Sequence, residues 1–179
     1  MKAVLDANVL FPTILREILT DLAAAGLYEP LWSDRILAEW RHAAARLGTD
    51  QDAVAGAEIA LLSARFPAAS MPDDGDACID LNLPDPADRH VLEAAIAGRA
   101  DLIVTANLRD FPEGIMRGIG LRALHPDAFL LDCHARAPGL VADAVHAARD
   151  KAARMGGDIP LRDMLKRSRL PRLARALKG

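Results

Sequence analysis

Apolar residues recur along this chain in two patterns: short continuous runs and stripes with helical spacing. Short segments made mostly of apolar residues predict buried strands, and the segment at residues 102–105 is the clearest of them. The predicted strands are residues 2–5, 78–81, 102–105 and 121–124. Leu31 and Trp32 are also apolar, but we interpret them as a short link to the next helix.

Helical stripes fill the segments between the predicted strands. Pro12 begins a helix with one apolar face that ends at Gly26, and Ser33 is a good N-cap for a helix through Arg46. Further helices are predicted around residues 54–62, 85–98 and 127–133 and at several places beyond Pro138. Strands that alternate with helices predict an α/β fold in three layers, a parallel sheet covered by helices on both faces.

Charge divides the 179 residues into two parts. Residues 1–134 carry 11 Lys/Arg against 21 Asp/Glu, a net charge of −10, and residues 135–179 carry 11 Lys/Arg against 4 Asp, a net charge of +7. We therefore predict a body over 1–134 and a basic helical extension over 135–179. An acidic body suits a metal site, and a basic tail suits a polyanion, an acidic partner or the acidic body itself.

Half of the residues are hydrophobic, which predicts a globular protein. Cys78 and Cys133 lack metal-ligand spacing and are predicted to be free, buried thiols; Trp32 and Trp40 are predicted core residues. No segment approaches a membrane span, and Asp6 excludes a signal-peptide core. The expected location is the cytoplasm, without membrane contact.

Four acids are predicted to lie near the ends of elements. Asp6 follows the first strand, and Asp110 follows the clearest buried strand by five residues. Asp88 lies in the first turn of a helix, and Glu39 lies at the edge of a buried helical stripe. Ligands of open α/β sheets bind beyond the carboxyl ends of the strands. If the two strands are neighbours, these acids share one crevice.

A crevice of carboxylates predicts a cation. Two carboxylates ~5 Å apart repel each other by roughly 3 kcal/mol at an effective dielectric constant near 20. Oxygen ligands suit Mg²⁺ or Mn²⁺, and such an ion lowers the pKa of a bound water and stabilises a leaving oxygen. Because no histidine, cysteine or serine arrangement offers a competing chemistry, the sequence predicts metal-assisted hydrolysis of a phosphodiester.

Each acid also has a purely structural interpretation. Asp6 would cap a turn, Glu39 would be a helix-surface charge, and Asp110 would tie down its loop. Asp85, followed by a proline at the first helical position, resembles an N-cap, so we assign Asp85 to capping and Asp88 to the site. The functional interpretation depends on the set of four acids.

The order and spacing of these motifs resemble a known family. The motifs are Asp6-Ala-Asn8, Glu39 within a helix, Asp88 before an apolar helix and Thr105-x-Asn107-x-x-Asp110-Phe111. Over roughly residues 1–134 they resemble the PIN domain, in the form of the VapC-type ribonuclease toxins of prokaryotic toxin–antitoxin pairs. The resemblance implies a PIN-like parallel sheet and a metal-dependent endoribonuclease. Its ligands for Mg²⁺ or Mn²⁺ would be Asp6, Glu39, Asp88 and Asp110.

The resemblance also implies supporting residues. Asn8 and Thr105 would hold the site by hydrogen bonds. Some members of the family carry an acid where this chain has Asn107, which leaves open whether Asp110 or Asn107 fills the fourth position. Asp85 is a further candidate if its helix starts later than predicted.

Partners follow from the same resemblance. VapC-type toxins act on RNA, commonly pair with a small antitoxin that covers the acidic site, and commonly form homodimers. Arg89 and His90, beside Asp88, are candidates for contact with an RNA phosphate, with a helix-surface role as the alternative. The basic extension resembles helical C-terminal additions of some VapC-like proteins, where it would hold RNA backbone, receive an acidic partner or form a solvated face.

Other protein classes fit less well. A phosphatase with an aspartyl nucleophile needs a second acid at the position of Asn8 and a placed lysine, whereas the body contains only Lys2. A receiver-like domain needs paired acids after its first strand, and a dinucleotide-binding domain needs a glycine fingerprint. The remaining alternative is a catalytically silent PIN-like module that binds RNA or protein.

Overall fold

Four parallel strands form the central sheet of this protein. The structure is a computed structural model that describes residues 1–156 and 159–177. The strands are β1 (Lys2–Leu5), β2 (Glu29–Leu31), β3 (Leu102–Val104) and β4 (Ala123–Leu124), in the order β2-β1-β3-β4. The first strand therefore lies beside the clearest predicted strand, as a shared crevice requires.

Helices flank the sheet, which confirms the predicted α/β class. They are α1 (Ala7–Leu10), α2 (Thr13–Ala24), α3 (Asp34–Ala45), α4 (Thr49–Arg65), α5 (Arg89–Ala97), α6 (Glu113–Gly118), α7 (Pro126–Arg136), α8 (Pro138–Arg154), α9 (Leu161–Arg167) and α10 (Pro171–Ala176). Short 3₁₀ turns cover Pro86–Asp88 and Leu108–Asp110. None of the helices in the described part of the chain combines the length and hydropathy that a membrane span requires.

The ends of the early helices follow from local sequence. The Ser33 hydroxyl caps α3 by accepting a hydrogen bond from the Ile36 backbone N–H at 3.2 Å, as predicted. Helix α2 ends before Gly26, whose φ of +78° lies in the left-handed region that glycine adopts without strain. The end of α2 and the start of α3 therefore delimit the short segment that contains β2.

The core is built on the two central strands. Residues 3–5 of β1 and 102–104 of β3 are buried, which explains why both read as continuous apolar runs. Trp32 and Trp40 are 1% and 2% exposed, as predicted for core residues. Cys78 and Cys133 are buried and free, which confirms the interpretation of both cysteines.

Three segments differ from the sequence-based expectation. Residues 78–81 form no strand: residues 78–80 form a turn, and the buried Glu93 carboxylate holds this turn by accepting a hydrogen bond from the Cys78 backbone N–H at 2.6 Å. Leu31, predicted to lie in a link, ends β2, an edge strand in which Pro30 is tolerated. Helix α6 occupies a stretch for which no element was expected.

The basic extension packs onto the body. Helix α8 contacts α2 and α7, and α10 contacts α7. The Lys151 ammonium lies 2.6 Å from Glu17 of α2, and the buried Asp127 carboxylate accepts hydrogen bonds from the backbone N–H groups of Arg172 and Leu173, both at 3.0 Å. Apolar side chains of the three helices and of the turn between α9 and α10 join the core of the body; they include Val141, Val145, Leu165, Leu170 and Leu173.

Candidate active site

The carboxyl ends of β1 and β3 bring their polar residues together. The register pairs Leu5 with Val104, so Asp6 and Thr105 follow at adjacent positions of the two strands. The Asp6 Oδ2 accepts hydrogen bonds from the Thr105 hydroxyl at 2.7 Å and from the Asn8 amide at 2.6 Å. Asn8 Oδ1 in turn accepts from the Ala106 backbone N–H at 2.8 Å, which ties the two loops together.

The four predicted acids influence one another electrostatically. The negative charges of Asp110 and Asp6 raise the pKa of Asp88, and the charge of Asp6 raises the pKa of Glu39. Nearby negative charges raise the pKa of a carboxyl group in this way. Asp6 and Asp110 are also joined through hydrogen bonds of Thr105 and Asn107 at the carboxyl ends of β1 and β3.

Asp6 is a nearly buried carboxylate, with 8% of its surface exposed. Burial raises its pKa, hydrogen bonds from Thr105 and Asn8 partly lower it, and the charge of Asp110 raises it further. Its hydrogen-bond donors are uncharged, so an ionised Asp6 has no positive partner among them. A bound cation would stabilise the ionised form.

Asp88 ends the 3₁₀ turn that leads into α5. The turn is capped by Asp85, whose Oδ1 accepts a hydrogen bond from the Ala87 backbone N–H at 2.9 Å. Burial raises the pKa of Asp88 to about 7, and the charges of Asp110, Asp6 and Asp85 contribute to the rise. Asp85 therefore caps the turn and also adds negative charge next to Asp88.

Glu39 lies in α3 between a cation and a buried histidine. Arg35 Nε, one turn earlier, lies 3.5 Å from Glu39 Oε1, and His90 Nε2 lies 3.0 Å from the same oxygen. Burial raises the pKa of Glu39, whereas the positive charge of Arg35 lowers it. Burial lowers the pKa of His90 to about 4, so the imidazole is neutral at pH 7 and its contact with Glu39 is not a charge pair.

His90 is 3% exposed and faces the interior. Neither a phosphate contact nor a helix-surface role fits this position, because α5 directs the imidazole toward Glu39; the neighbouring Arg89 is exposed. His90 Nδ1 lies 3.9 Å from Asp73 Oδ2. Within the described residues, both imidazole nitrogens and Asp73 Oδ2 are buried without a hydrogen-bond partner.

Asp73 is a site neighbour that the sequence interpretation missed. Its charge raises the pKa of Glu39, so it lies close to the carboxylate cluster. The sequence signal is the dense acidic stretch at residues 73–76, which lies outside every predicted helix and strand. Its position depends on a tertiary contact with His90 that no local pattern reveals.

Asn107 and Asp110 belong to the same loop structure. The Asn107 side-chain amide donates a hydrogen bond to Asp110 Oδ2, and the Asn107 backbone N–H donates to the Thr105 hydroxyl at 3.1 Å. Asn107 thus connects Asp110 to the hydrogen-bond network of Asp6.

The cluster offers an oxygen-only set of donors: Asp6, Glu39, Asp88 and Asp110. Hard divalent cations such as Mg²⁺ and Mn²⁺ prefer such oxygens, so the residue types fit this ion class. In the portion of the chain that the structure describes, no group of three or more His, Cys, Asp or Glu side chains has the spacing of a metal-binding set. The raised pKa values of Asp6, Glu39 and Asp88 are those of mutually repelling, partly desolvated acids, which a cation would stabilise.

Comparison with known proteins defines the family. Residues 2–109 match the model of the PIN domain, which covers more than half of the chain. This protein therefore belongs to the PIN domain family, and the matched residues contain Asp6, Glu39 and Asp88.

Part of the chain is similar in sequence to a curated protein with a VapC-type name. Over 45 residues the chain is 56% identical to a Mycobacterium tuberculosis protein named "Putative ribonuclease VapC50". The aligned segment covers 25% of this chain and 27% of that protein, so the chain spans about a quarter of the relative's length. No solved structure matches the chain significantly.

Proposed function

We propose that this protein is a metal-dependent endoribonuclease that hydrolyses RNA phosphodiester bonds. Asp6, Glu39, Asp88 and Asp110 would hold the divalent cation, Mg²⁺ or Mn²⁺, and would be the catalytic residues. The observation that carries the proposal is the hydrogen-bond network at the carboxyl ends of β1 and β3, in which Thr105 and Asn8 hold Asp6 and Asn107 holds Asp110. Membership of the PIN domain family and the likeness to a protein named as a ribonuclease support it.

The protein residues would position the reaction. A bound divalent ion supplies the positive charge that lowers the pKa of an attacking water and stabilises the leaving oxygen. Thr105 and Asn8 fix the orientation of Asp6 by hydrogen bonds to Oδ2. Asn107 fixes Asp110 in the same way, so Asp110 would supply the fourth carboxylate and Asn107 would support it.

The biological role belongs to the same proposal. We infer the toxin of a type II toxin–antitoxin pair, acting on RNA in the cytoplasm, with a small antitoxin over the acidic site and a homodimeric assembly. The VapC-type likeness supports this role. Residues 1–134 would form the PIN-like nuclease domain, and residues 135–179 would form a basic extension that assists it.

The decisive test is cleavage of a structured RNA pool in Mg²⁺, Mn²⁺ or EDTA. The purified protein is compared with Asp6→Asn and with Asp101→Asn. Asp101 is an exposed acid just before β3, at the amino end of the strands, and serves as the matched control. We expect cutting that requires metal, is lost in Asp6→Asn and is retained in Asp101→Asn.

Two outcomes would contradict the proposal. Cutting that survives EDTA or Asp6→Asn would remove the acids from the chemistry. RNA binding without cutting in any metal would identify the protein as a catalytically silent PIN-like module.

A further inference from the structure

A cavity of about 310 Å³ lies beside the carboxylate cluster. Residues just beyond the carboxyl ends of three strands line it: Asn8 after β1, Ala106 after β3 and His125 after β4. Residues 167–169 of the basic extension also line the cavity. We propose that this cavity is a subsite for a backbone phosphate of the RNA, next to the bond that is cut. The inference rests on the proposed function.

Asn8 connects the cavity to the carboxylate cluster. Its side chain lines the cavity, and its amide nitrogen lies 2.6 Å from Asp6 Oδ2. A ligand in the cavity would therefore lie one side chain away from the acids. A nucleic-acid strand that reaches the cluster can place a neighbouring phosphate there.

The part of the basic extension that lines the cavity, residues 167–169, lies in a turn held by backbone hydrogen bonds. The Arg169 N–H bonds to the Lys166 carbonyl at 3.0 Å, and the Leu170 N–H bonds to the Leu165 carbonyl at 2.8 Å, which together form a Schellman motif at the end of α9. Arg169 has a φ of +59°, at the position where this motif usually has glycine. The buried Leu170 side chain anchors the turn to the core.

The groups that face the cavity can donate hydrogen bonds to an anion. Arg167 and Arg169 are exposed, and neither forms a salt bridge with an acid in residues 1–156 or 159–177. His125 Nδ1 accepts a hydrogen bond from the Asp127 backbone N–H, so Nε2 carries the proton and is a donor. The Ser168 hydroxyl adds a further donor.

The surroundings favour a phosphate of the substrate. The carboxylate of Asp127 is occupied by two backbone N–H groups at the start of α10, so it is not a free partner for the arginines. His125 and Arg169 line the same cavity. Burial lowers the pKa of His125, the negative charge of Asp127 raises it, and the positive charge of Arg169 lowers it. Guanidinium groups match phosphate oxygens in a bidentate geometry.

The chain offers a matched control for the central residue. Arg99 is also exposed, has a φ of +51°, and occupies the same motif after α5, where Ala100 N–H bonds to the Ala95 carbonyl at 2.8 Å. It lies before β3, at the opposite edge of the sheet. Arg169→Gly and Arg99→Gly therefore remove the same charge from the same backbone geometry, which glycine accepts.

The experiment measures RNA binding in EDTA, where cleavage does not interfere. A fluorescein-labelled single-stranded RNA of mixed sequence is titrated with each full-length variant, and its anisotropy is followed at several KCl concentrations. We expect Arg169→Gly to raise the Kd about 10-fold. We also expect the slope of log K against log salt to fall by about 0.7, the value for one lost phosphate contact. Arg99→Gly should match the wild type, and thermal unfolding should show that both variants fold.

The outcomes separate this inference from the proposed nuclease. Equal RNA affinities of Arg169→Gly and Arg99→Gly, or no RNA binding by the wild type, overturn the subsite even if the protein cuts RNA. RNA binding that depends on Arg169 without any cutting supports the subsite and contradicts the nuclease. If Arg169→Gly loses affinity for poly-L-glutamate but not for RNA, the cavity receives an acidic protein, and the RNA subsite is wrong.

Discussion

At the residue scale, the most unusual group is the Asp6 carboxylate. It is almost fully buried, its donors are the neutral side chains of Thr105 and Asn8, and the charge of Asp110 acts against its ionisation. Such an arrangement destabilises a protein unless the charge is matched from outside. This is the physical reason for expecting a cation here.

Replacement of Asp6 should therefore leave the fold intact. In EDTA, Asp6→Asn should not lower the Tm, because it removes a charge disfavoured by burial and keeps an oxygen that can accept hydrogen bonds. Mg²⁺ should raise the Tm of the wild type by mass action and have a much smaller effect on the variant. Differential scanning calorimetry with and without Mg²⁺ measures both effects. An unfolded Asp6→Asn protein in EDTA would contradict the expectation.

Asp88 gives a prediction about pH. Its pKa is about 7 in the folded protein and 3.8 as an ordinary carboxyl, so the folded state binds the proton more tightly. The protonated Asp88 therefore contributes to the stability of the metal-free protein at low pH, and this contribution is lost as the pH rises from about 4 through 7. The Asp88→Asn variant should not show this decrease in stability, because its amide does not titrate.

The measurement is the Tm difference between Asp88→Asn and wild type in EDTA, followed between pH 5 and pH 8. This difference should grow with pH and level off above the pKa of about 7. The variant serves as the reference because the lowered pKa of His90 changes stability in the opposite direction, with loss below its ordinary value of 6.5. A difference that stays constant across this range would contradict the assignment.

The sequence identified residues whose environment follows from strand ends. Asp6 and Thr105 could be expected to meet because parallel strands end at the same edge, and the register of β1 and β3 places them side by side. The sequence could not predict that His90 and Asp73 lie near Glu39. Their positions depend on the way α5 packs against α3 and on the path of a long loop. Local periodicity contains no information about either.

At the element scale, short strands and capped helix ends organise the molecule. Strands β2 and β4 have three and two residues, which is too short for a clear pattern of side chains. Pro30 in the middle of the edge strand β2 further hides that strand. Residues 78–81 resemble a strand in composition, but residues 78–80 form a turn whose Cys78 backbone N–H donates a hydrogen bond to Glu93. Helices α2 and α3 lie within two residues of their predicted bounds, whereas α4, predicted around residues 54–62, extends over Thr49–Arg65.

The start of α10 offers a prediction at this scale. Asp127→Ala removes the acceptor of two backbone N–H groups at 3.0 Å and leaves both without this partner, the Leu173 N–H in a buried position. We expect a loss of about 1–3 kcal/mol in the free energy of unfolding. Urea unfolding measures it, with Asp132→Ala, an exposed acid of the same helix, as the control. Equal stabilities of the two variants would show that Asp127 does not hold α10.

At the scale of the whole molecule, the extension belongs to the hydrophobic core. Helices α8–α10 bury apolar side chains against α2 and α7, although their charge marks them as a separate segment of sequence. Net charge predicts partners and solubility, and it does not report which faces of a helix are buried. The contact between extension and body was left open by the sequence for this reason.

Truncation after Arg136 should therefore damage the body. Removal of α8–α10 exposes the apolar faces of α2 and α7, so the shortened chain should aggregate or lose cooperative unfolding. Lys151→Ala, which removes only the exposed ion pair with Glu17, should change stability by less than about 1 kcal/mol. Thermal unfolding followed by circular dichroism compares the two, and a truncated chain as stable as the wild type would contradict the shared core.

The hydrogen bond between Thr105 and Asp6 can form only late in the synthesis of the chain. Its two residues are 99 positions apart, and β1 has β3 as a neighbour in the finished sheet. At a synthesis rate of about 5–20 residues per second, roughly 5–20 s separate the synthesis of Asp6 from that of Thr105. During that interval Glu39 and Asp88 are also synthesised, whereas Asp110 follows Thr105, so no unfinished chain contains the complete set of four acids until the loop after β3 has been made.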